Sequence, residues 1–252
     1  MAQWFENEDF WKDYGPIMFD QSRWEEAPVV AGYVKSLSHL SDGDSVLDAG
    51  CALGRISVEL ALLNLKVTGL DIIQCELDAA KESAEAENVQ INFLRQDLRT
   101  FKTSKKFDSV INLYTSFGYC NSIEEDMLIL KNMCRAVKDG GTFIMECISR
   151  ECAILYFTEG ETFFRAGYTV KTHFEVQGLW EGLLSRWQLY KTLENGKESL
   201  VRDHTFIQRL YPADFLCKKL LDFGCKEAHA YGDFDLSPYD QNARTMILIG
   251  RK

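Results

Sequence analysis

The chain has 252 residues, a length that suits one large domain or one domain carrying an insertion. Hydrophobic residues make up 46% of the chain and charged residues 26%, so collagen-like, fibrous and disordered classes are excluded. The 28 Lys and Arg residues are outnumbered by 38 Asp and Glu residues, which gives a net charge of -10. Because nucleic-acid binding rewards basic surfaces, we expect no nucleic-acid partner.

The sequence also lacks the features of an exported or membrane-spanning chain. No apolar run approaches the ~20 residues that cross a bilayer, and residues 1–9 are acidic and without the basic start of a secretory signal. The eight cysteines are scattered without a C-x-x-C pair, which indicates reduced thiols and gives no sign of a metal site. We therefore expect a cytoplasmic protein with no membrane contact and no bound metal.

Short apolar runs alternate with helix-like stretches between Ser45 and Cys147. Strands are predicted over residues 45–47, 66–70, 91–94, 109–113 and 142–145, and helices over residues 54–63, 75–86 and 123–137. A turn is predicted over residues 138–141, which contain two consecutive glycines. This alternation of strand and helix implies right-handed crossovers and a mainly parallel sheet.

The rhythm changes after Arg150. Three strands with period-2 alternation are predicted over residues 169–176, 183–193 and 200–210. Residues 194–197 are typical of a hairpin turn, because their Asn-Gly pair supplies positive φ at low cost. A helix over residues 212–223 and a strand over residues 245–249 follow. The pattern indicates an antiparallel segment inserted before the first sheet resumes.

We therefore divide the chain into four segments. These are an N-terminal aromatic lid (residues 1–40), a ligand-binding core (41–150), an inserted antiparallel β cap on the substrate side (151–210), and a helix with strands that complete the core sheet (211–252). The N-terminal aromatic side chains, too many for a solvated arm, are Trp4, Phe5, Phe10, Trp11, Tyr14, Phe19 and Trp24. A helical lid that closes over the ligand and a static core helix both agree with this composition.

The loop between the first predicted strand and helix, Asp48-Ala49-Gly50-Cys51-Ala52-Leu53-Gly54-Arg55, is the most informative segment. A dinucleotide-binding loop would need glycine at its first, third and sixth positions, which here hold Gly50, Ala52 and Arg55. Asp48, at the strand end, would repel a pyrophosphate by ~1–4 kcal/mol and attract an ammonium or sulfonium group. The loop therefore favours a cationic nucleoside without phosphates.

Two further acids end the next two predicted strands. Asp71 lies about twenty residues beyond the glycine loop, where a carboxylate can accept from both ribose hydroxyls. Asp97 follows the third strand, where a carboxylate can accept from an exocyclic amine. Three carboxylates at consecutive strand ends would meet the three polar parts of one ligand.

In this order and at these spacings, residues 46–146 resemble the class I, Rossmann-like, S-adenosylmethionine-dependent methyltransferases, and are similar to their small-molecule branch. The resemblance implies an α/β fold, with a seven-stranded mostly parallel sheet whose last strand is antiparallel and helices on both faces. It also implies S-adenosyl-L-methionine as cofactor and S-adenosyl-L-homocysteine as product. The cofactor-binding residues that we predict are Asp48, Gly50, Cys51, Ala52, Gly54, Asp71, Ile72, Asp97, Leu98 and Asn112.

The resemblance assigns a part of the cofactor to most of these residues. Asp48, Gly50 and Gly54 would surround the methionine part. Asp71 would hold the ribose with Ile72 against the adenine, while Asp97 would bind the adenine amine beside the backbone N–H of Leu98. One departure is Ala52, where the family usually has glycine; we expect this alanine to be tolerated in a backbone conformation outside the left-handed region.

The end of the fourth strand, Asn112-Leu113-Tyr114-Thr115, should face the reacting methyl group. Methyltransferases that act on amino groups of DNA bases or of glutamine resemble one another in an Asn/Asp-Pro-Pro-aromatic signature at this place. This chain lacks both prolines, which counts against such substrates. Tyr114 and Tyr119 would orient an acceptor or pack on the N-terminal helix. Substrate contacts are predicted for Tyr119, Arg150 and Trp180.

Methyl transfer from a sulfonium is an in-line displacement, so the protein must align the nucleophile and remove a proton where the acceptor carries one. The side chains that could accept this proton are His173, His204, Glu146 and Glu175. Our predicted catalytic residues are Tyr114, His173 and Glu146.

The sequence thus predicts a methyltransferase that acts on N, O or C of a small-molecule acceptor, as a monomer or homodimer. A protein or RNA methyltransferase is one alternative. A non-catalytic module that binds S-adenosylmethionine is another.

Overall fold

The computed structural model describes residues 3–193 and 195–252. Residues 1 and 2 of the predicted lid and Glu194 of the predicted hairpin turn lie outside the described residues. After a short 3-10 helix, Trp4–Glu6, the helices are α1 Glu8–Met18, α2 Gln21–Glu25, α3 Ala27–Leu37, α4 Arg55–Leu62, α5 Gln74–Ala86, α6 Ile123–Ala136, α7 Arg150–Leu155 and α8 Ala213–Asp222. The strands are β1 Ser45–Ala49, β2 Lys66–Asp71, β3 Asn92–Arg95, β4 Phe107–Asn112, β5 Val137–Cys147, β6 Thr162–Arg165, β7 Tyr168–Gln177, β8 Gly182–Thr192, β9 Glu198–Arg209, β10 Glu227–Tyr231 and β11 Met246–Arg251.

Seven strands form the main sheet in the order β10-β11-β5-β4-β1-β2-β3. Strands β1 to β5 pair in parallel, and β11 runs antiparallel to β5 and β10. The predicted Rossmann-like α/β fold is therefore confirmed, including its antiparallel last strand. The strand order reverses between β1 and β4, so the carboxyl ends of these two strands open the crevice in which such sheets bind ligands.

Both faces of the main sheet are buried under helices. Because successive strand residues point to opposite faces, Val46 and Leu47 of β1 belong to two different cores. The core on the Leu47 side includes Val110, Leu130, Phe143 and Leu216. The core on the Val46 side includes Val34, Leu60, Ile111 and Ile144. The sheet is thus held rigidly from both sides, and its strand ends are fixed relative to one another.

A second, antiparallel sheet has the order β6-β7-β8-β9. Strands β7, β8 and β9 match the three strands predicted after Arg150, whereas β6, α7 and β10 had no predicted counterpart. Side chains of one face, such as Phe174, Trp187 and Phe206, turn toward the main sheet. Side chains of the other face, such as Arg186, turn to solvent.

Helix α1 and the 3-10 helix before it pack against the inner face of this second sheet. Phe10, Tyr14 and Ile17 of α1 form a third core with Val170 of β7 and Leu189 of β8. Trp4 stacks on the ring of Phe206 at 4.4 Å. Trp4, Phe10, Trp11 and Tyr14 thus find partners on the four-stranded sheet.

One predicted turn is wrong. Residues 138–141 belong to β5, which begins directly after α6. The Gly140 N–H donates to the Lys252 carbonyl oxygen at 2.8 Å, and the Lys252 N–H donates to the Gly141 carbonyl oxygen at 3.0 Å. These hydrogen bonds to Lys252 hold the segment against β11. The turn was predicted from two consecutive glycines alone, and such a local pattern does not indicate a partner that is distant in the sequence.

The conformation predicted for Ala52 is also wrong. Its φ is 44°, in the left-handed region, between Gly50 at 83° and Gly54 at 73°. An L-residue with a side chain pays about 1–2 kcal/mol in this region. The loop therefore keeps a glycine-like backbone with an alanine in it, and the surrounding contacts hold the strained residue in place.

A buried ion pair joins the second sheet to α6. Arg209 of β9 pairs with the carboxylate of Asp126, which is fully buried. The Tyr211 hydroxyl donates to Asp126 Oδ2 at 2.7 Å, and the Cys120 N–H donates to Asp126 Oδ1 at 3.1 Å. Every oxygen of this buried carboxylate thus has a partner.

Replacing the strained alanine should stabilise the protein. We expect Ala52→Gly to raise the free energy of unfolding by about 1 kcal/mol, because relief of the left-handed strain exceeds the added chain entropy of glycine. Ala61→Gly, at a right-handed position in α4, should lower it by about 1 kcal/mol. Thermal unfolding by calorimetry measures both, and equal destabilisation by the two variants would contradict the strain at residue 52.

Breaking the buried pair should be costly. We expect Asp126→Ala to lower the free energy of unfolding by about 3–5 kcal/mol, because it leaves the Arg209 guanidinium without its partner. The matched control Asp203→Ala breaks the more exposed pair with Arg186 and should cost about 1 kcal/mol or less. Urea unfolding measures the free energy of unfolding of both variants. A loss for Asp126→Ala as small as that of the control would show that the pair of Asp126 with Arg209 contributes little to stability.

Candidate active site

A cavity of about 570 Å³ lies at the carboxyl ends of the parallel strands. Its floor consists of the segments that follow β1, β2, β3 and β4. The N-terminal helices, α7 and the inner face of the four-stranded sheet supply its walls. Of the predicted site residues, those that line the cavity are Asp48, Gly50, Cys51, Ala52, Asp71, Ile72, Asp97, Leu98, Tyr114, Tyr119 and Glu146.

The loop after β1 is held against its neighbours by backbone bonds. The N–H groups of Gly50 and Cys51 both donate to the Leu70 carbonyl oxygen, at 2.7 and 3.0 Å. Asp48, just before the loop, is buried and accepts from the Ser57 hydroxyl at 2.6 Å. Burial raises the pKa of Asp48 to about 6, while the Ser57 hydrogen bond opposes this rise.

The acid that ends β2 is pre-positioned by the same loop. Asp71 Oδ2 accepts from the Ala52 N–H at 2.9 Å, and Oδ1 accepts from the Ile73 N–H at 3.0 Å. Burial raises the pKa of Asp71, and these backbone donors oppose the rise. The carboxylate therefore faces the cavity in a fixed orientation with lone pairs left for a ligand.

The acid that follows β3, Asp97, forms an ion pair with Arg99. Both carboxylate oxygens of Asp97 accept from Arg99 Nε, at 3.0 and 2.8 Å. Arg99 also pairs with Glu6 of the N-terminal 3-10 helix. A ligand amine at Asp97 would therefore compete with this guanidinium, and the N-terminal segment is tied to this end of the cavity.

The turn after β4 has a strained backbone. Tyr114 and Thr115 both lie in the left-handed region, with φ of 56° and 59°. The Tyr114 N–H donates to Glu146 Oε2 at 2.9 Å. The Tyr114 ring lies under the guanidinium groups of Arg55, at 4.5 Å, and Arg23, at 5.5 Å. Such strain is found at sites where the surrounding structure fixes a side chain for function.

Two more carboxylates line the cavity, that of the half-buried Glu146 and that of the buried Glu76. Glu146 of β5 accepts from the Thr245 hydroxyl at 3.3 Å, and burial raises its pKa. Glu76, in the first turn of α5, is 6% exposed, and burial raises its pKa to about 7. Within residues 3–193 and 195–252, Glu76 Oε2 has no hydrogen-bond partner. The Tyr114 hydroxyl, whose pKa burial raises to about 12, is likewise buried without a partner there.

The structure does not bring His173 to the cavity. His173 lies on the solvent face of β7, where its ring is 3.1 Å from the Glu175 carboxylate. Its neighbour Phe174 lines the cavity instead, because successive strand residues alternate between faces. His204 points inward but is enclosed by the rings of Phe10 and Tyr14 and does not line the cavity. The geometry thus gives neither histidine access to an acceptor.

Four other predicted residues also lie outside the lining. Gly54 precedes α4, and a Cβ there would come within 2.8 Å of Ala80 Cβ, so this glycine permits close helix packing. Asn112 Nδ2 donates to the Ala49 carbonyl oxygen at 2.6 Å and supports the loop from behind. Arg150 begins α7 and does not line the cavity, and its guanidinium donates to the Leu210 carbonyl oxygen at 3.4 Å. Trp180 packs edge-on against Phe157, a lining residue, at 5.4 Å.

Several lining residues had no predicted role. They are Arg55, Glu76, Arg99, Phe157, Phe206 and Arg244. Glu76 carried a usable signal, since an acid two residues into a helix that follows Asp71 lies at the same edge of the sheet. The side chains from the second sheet and from α7 could not be assigned, because nothing in the sequence fixes how the two sheets face each other.

Two kinds of feature are absent from the described residues. No helix in this part of the chain is long and apolar enough to cross a membrane. No group of three or more His, Cys, Asp or Glu side chains among residues 3–193 and 195–252 is arranged to hold a metal ion.

Comparison with known proteins identifies a family. Residues 40–197 match the model of the family described as "Methyltransferase domain". A ubiquinone biosynthesis O-methyltransferase from Coxiella burnetii is 29% identical over 162 residues, which cover 64% of this chain and 67% of that protein. One with the same description from Rickettsia bellii is 29% identical over 127 residues, and the chain spans about half its length, 51%.

Solved structures share the fold. A S-adenosylmethionine-dependent methyltransferase from Clostridium acetobutylicum has a TM-score of 0.78 at 13% identity, with 96% of this chain and 98% of that chain covered. An amino pentose methyltransferase from Micromonospora echinaspora has a TM-score of 0.71 at 18% identity, with 96% of each chain covered. The predicted family, fold and cofactor are thus confirmed: the chain belongs to the methyltransferase-domain family and is a Rossmann-like methyltransferase that uses S-adenosylmethionine.

Proposed function

We propose that this enzyme transfers the methyl group by in-line displacement to N, O or C of a small molecule held beneath the four-stranded sheet. The observation that carries the proposal is one continuous cavity with two unlike ends. Carboxylates at successive strand ends line one end, and aromatic side chains of the second sheet line the other. The small-molecule names of the Coxiella and Micromonospora proteins support it.

The acid-lined end suits the cofactor. When bound, S-adenosylmethionine supplies an electrophilic methyl group on a positively charged sulfur. We assign Asp71 to the ribose hydroxyls, because its carboxylate is already oriented by two backbone donors. Ile72 would contact the adenine, and Asp97 with the Leu98 N–H would bind its polar edge. Asp48 and the loop residues Gly50, Cys51 and Ala52 would surround the methionine part.

Two arginines complete this end. Arg23 and Arg55 lie over the Tyr114 ring. The Arg55 guanidinium donates to the Arg23 carbonyl oxygen, and Arg23 pairs with the half-exposed Glu26 at 2.8 Å. A guanidinium suits a carboxylate because it offers paired donors. We therefore assign these two arginines to the carboxylate of the methionine part.

The other end suits an apolar ring. Phe174, Trp187 and Phe206 project from the second sheet, and Tyr119 closes the wall by packing on Trp4 at 5.1 Å. Side chains of this kind bury the flat face of a ring and exclude water from the reacting atoms. A protein or RNA chain would have to thread under this sheet, so we favour a free small molecule over a macromolecular acceptor.

Glu146 is the group best placed to take a proton from the acceptor. It lines the cavity at the end of β5, and its orientation is fixed by the Tyr114 N–H and the Thr245 hydroxyl. Burial raises its pKa above the ordinary value, which makes it a stronger base than a solvated carboxylate. Tyr114 would shape the methyl-transfer region next to it.

The ribose assignment can be tested by calorimetry. We expect Asp71→Ala to weaken S-adenosylhomocysteine binding by about 1–3 kcal/mol, the value of charge-assisted hydrogen bonds. The control Asp78→Ala removes an exposed acid from the same region, on α5, and should leave the affinity unchanged. An Asp71→Ala protein that binds as tightly as wild type would remove the main support for this arrangement.

The proton acceptor can be tested by its pH dependence. A carboxyl with a raised pKa is a base only above that pKa, so methyl transfer should rise with pH on a limb that lies above about pH 4.5. In Glu146→Gln this limb should vanish and kcat should fall by about 10²–10⁴, with cofactor affinity retained. Nearby Arg23 opposes the raised pKa and Glu26 adds to it.

The acceptor for these rates comes from a metabolite extract incubated with labelled S-adenosylmethionine, followed by mass analysis of the labelled product. Glu227→Gln, which changes an exposed acid on β10, serves as the control. An unchanged rate for Glu146→Gln across the pH range would exclude this residue as base. Labelling of peptides or RNA in place of small molecules would favour the macromolecular alternative.

A further inference from the structure

Glu76 is a buried acid for which the fold provides no partner. Its side chain lies in the first turn of α5 and lines the cavity, although only 6% of the residue is exposed. Oε2 is buried and lacks a hydrogen-bond partner among residues 3–193 and 195–252. Buried polar atoms are nearly always paired, so an orphaned carboxylate oxygen at a cavity wall calls for an explanation.

The position of Glu76 relates it to the acid that ends β2. Asp71 ends β2, Glu76 lies in the first turn of the helix that follows, and both side chains line the cavity. Burial raises the pKa of Glu76, and the charge of Asp71 adds to this rise. Asp71 has its carboxylate oriented by the N–H groups of Ala52 and Ile73, whereas Glu76 has no such donors. Two acids thus line one part of the cavity, and one of them still needs a donor.

A structural role does not account for this arrangement. Glu76 packs beside Gly15 of α1, where an added Cβ would lie 3.4 Å from Oε1, and this glycine offers no side chain that could pair with the carboxylate. An apolar side chain would fill the same place without the desolvation cost that a buried carboxylate carries. The carboxylate at the cavity wall is therefore left to accept a hydrogen bond from a bound group.

We propose that Glu76 is a second ribose-binding acid of the cofactor site, which accepts a hydrogen bond from one of the two ribose hydroxyls beside Asp71. This inference rests on the proposed assignment of Asp71 to the ribose. A ribose presents two vicinal hydroxyl donors, and two carboxylates can each accept from one of them. A negative pair at this place also disfavours nucleosides that carry a phosphate on the ribose.

The test compares ligands that differ by one hydroxyl. Binding of S-adenosylhomocysteine and of its 2′-deoxy and 3′-deoxy analogues is measured by titration calorimetry for wild type, Glu76→Gln and Glu82→Gln. Glu82 is an exposed acid on the same helix and serves as the matched control. We expect Glu76→Gln to weaken S-adenosylhomocysteine binding about tenfold, with no change for Glu82→Gln.

The analogues separate recognition from packing. The analogue that lacks the hydroxyl bound by Glu76 should bind wild type and Glu76→Gln equally, while the other analogue should keep the full loss. The same loss for all three ligands, or no loss for any, would overturn the proposal and leave the cofactor assignment intact. Failure of wild type to bind S-adenosylhomocysteine would overturn the proposed function and this inference with it.

A second variant distinguishes loss of the carboxylate from loss of the fold. Glu76→Met places an apolar chain of similar length at the same buried position and should raise the thermal stability of the ligand-free protein, because it removes an unpaired buried carboxyl. It should show the same selective loss of one hydroxyl contact as Glu76→Gln. A Met variant that binds all three ligands as wild type does would also refute the proposal.

Discussion

The hydrogen bond from the Ala52 N–H to the Asp71 carboxylate connects the parts of this site. It ties the loop after β1 to the end of β2, and it holds Ala52 at a φ of 44° that an alanine does not adopt by preference. The parallel register that pairs Ala49 with Leu70 brings the two strand ends to the same level. The orientation of the Asp71 carboxylate, the strained loop and the sheet register therefore depend on each other.

Much of the core could be predicted from the sequence because local patterns determine it. Strands β1 to β4 and helices α4 to α6 have clear periodicity, and Asp48 and Asp71 occur where strands end. The error at residues 138–141 has a non-local cause, since Lys252 at the far end of the chain pairs with that segment. The φ of Ala52 is likewise set by a tertiary contact.

The acceptor side was less predictable for a different reason. Strand β7 alternates faces, so His173 shares the solvent side with Glu175 while Phe174 lines the cavity; the alternation was visible in the sequence, but which face looked inward was not. Arg23 lies on α2, which follows α1, and the placement of α1 depends on the packing of aromatic side chains against the second sheet. Such a residue becomes recognisable only when distant segments are brought together.

The shared core of α1 and the four-stranded sheet has an evolutionary consequence. Phe10 and Tyr14 pack with Val170 and Leu189, so the wall formed by α1 and the wall formed by the second sheet rest on one set of contacts between segments far apart in the chain. Substitutions there can reshape these two walls while the carboxyl ends of the parallel strands stay untouched. The fold thus allows one end of the cavity to change its shape independently of the other.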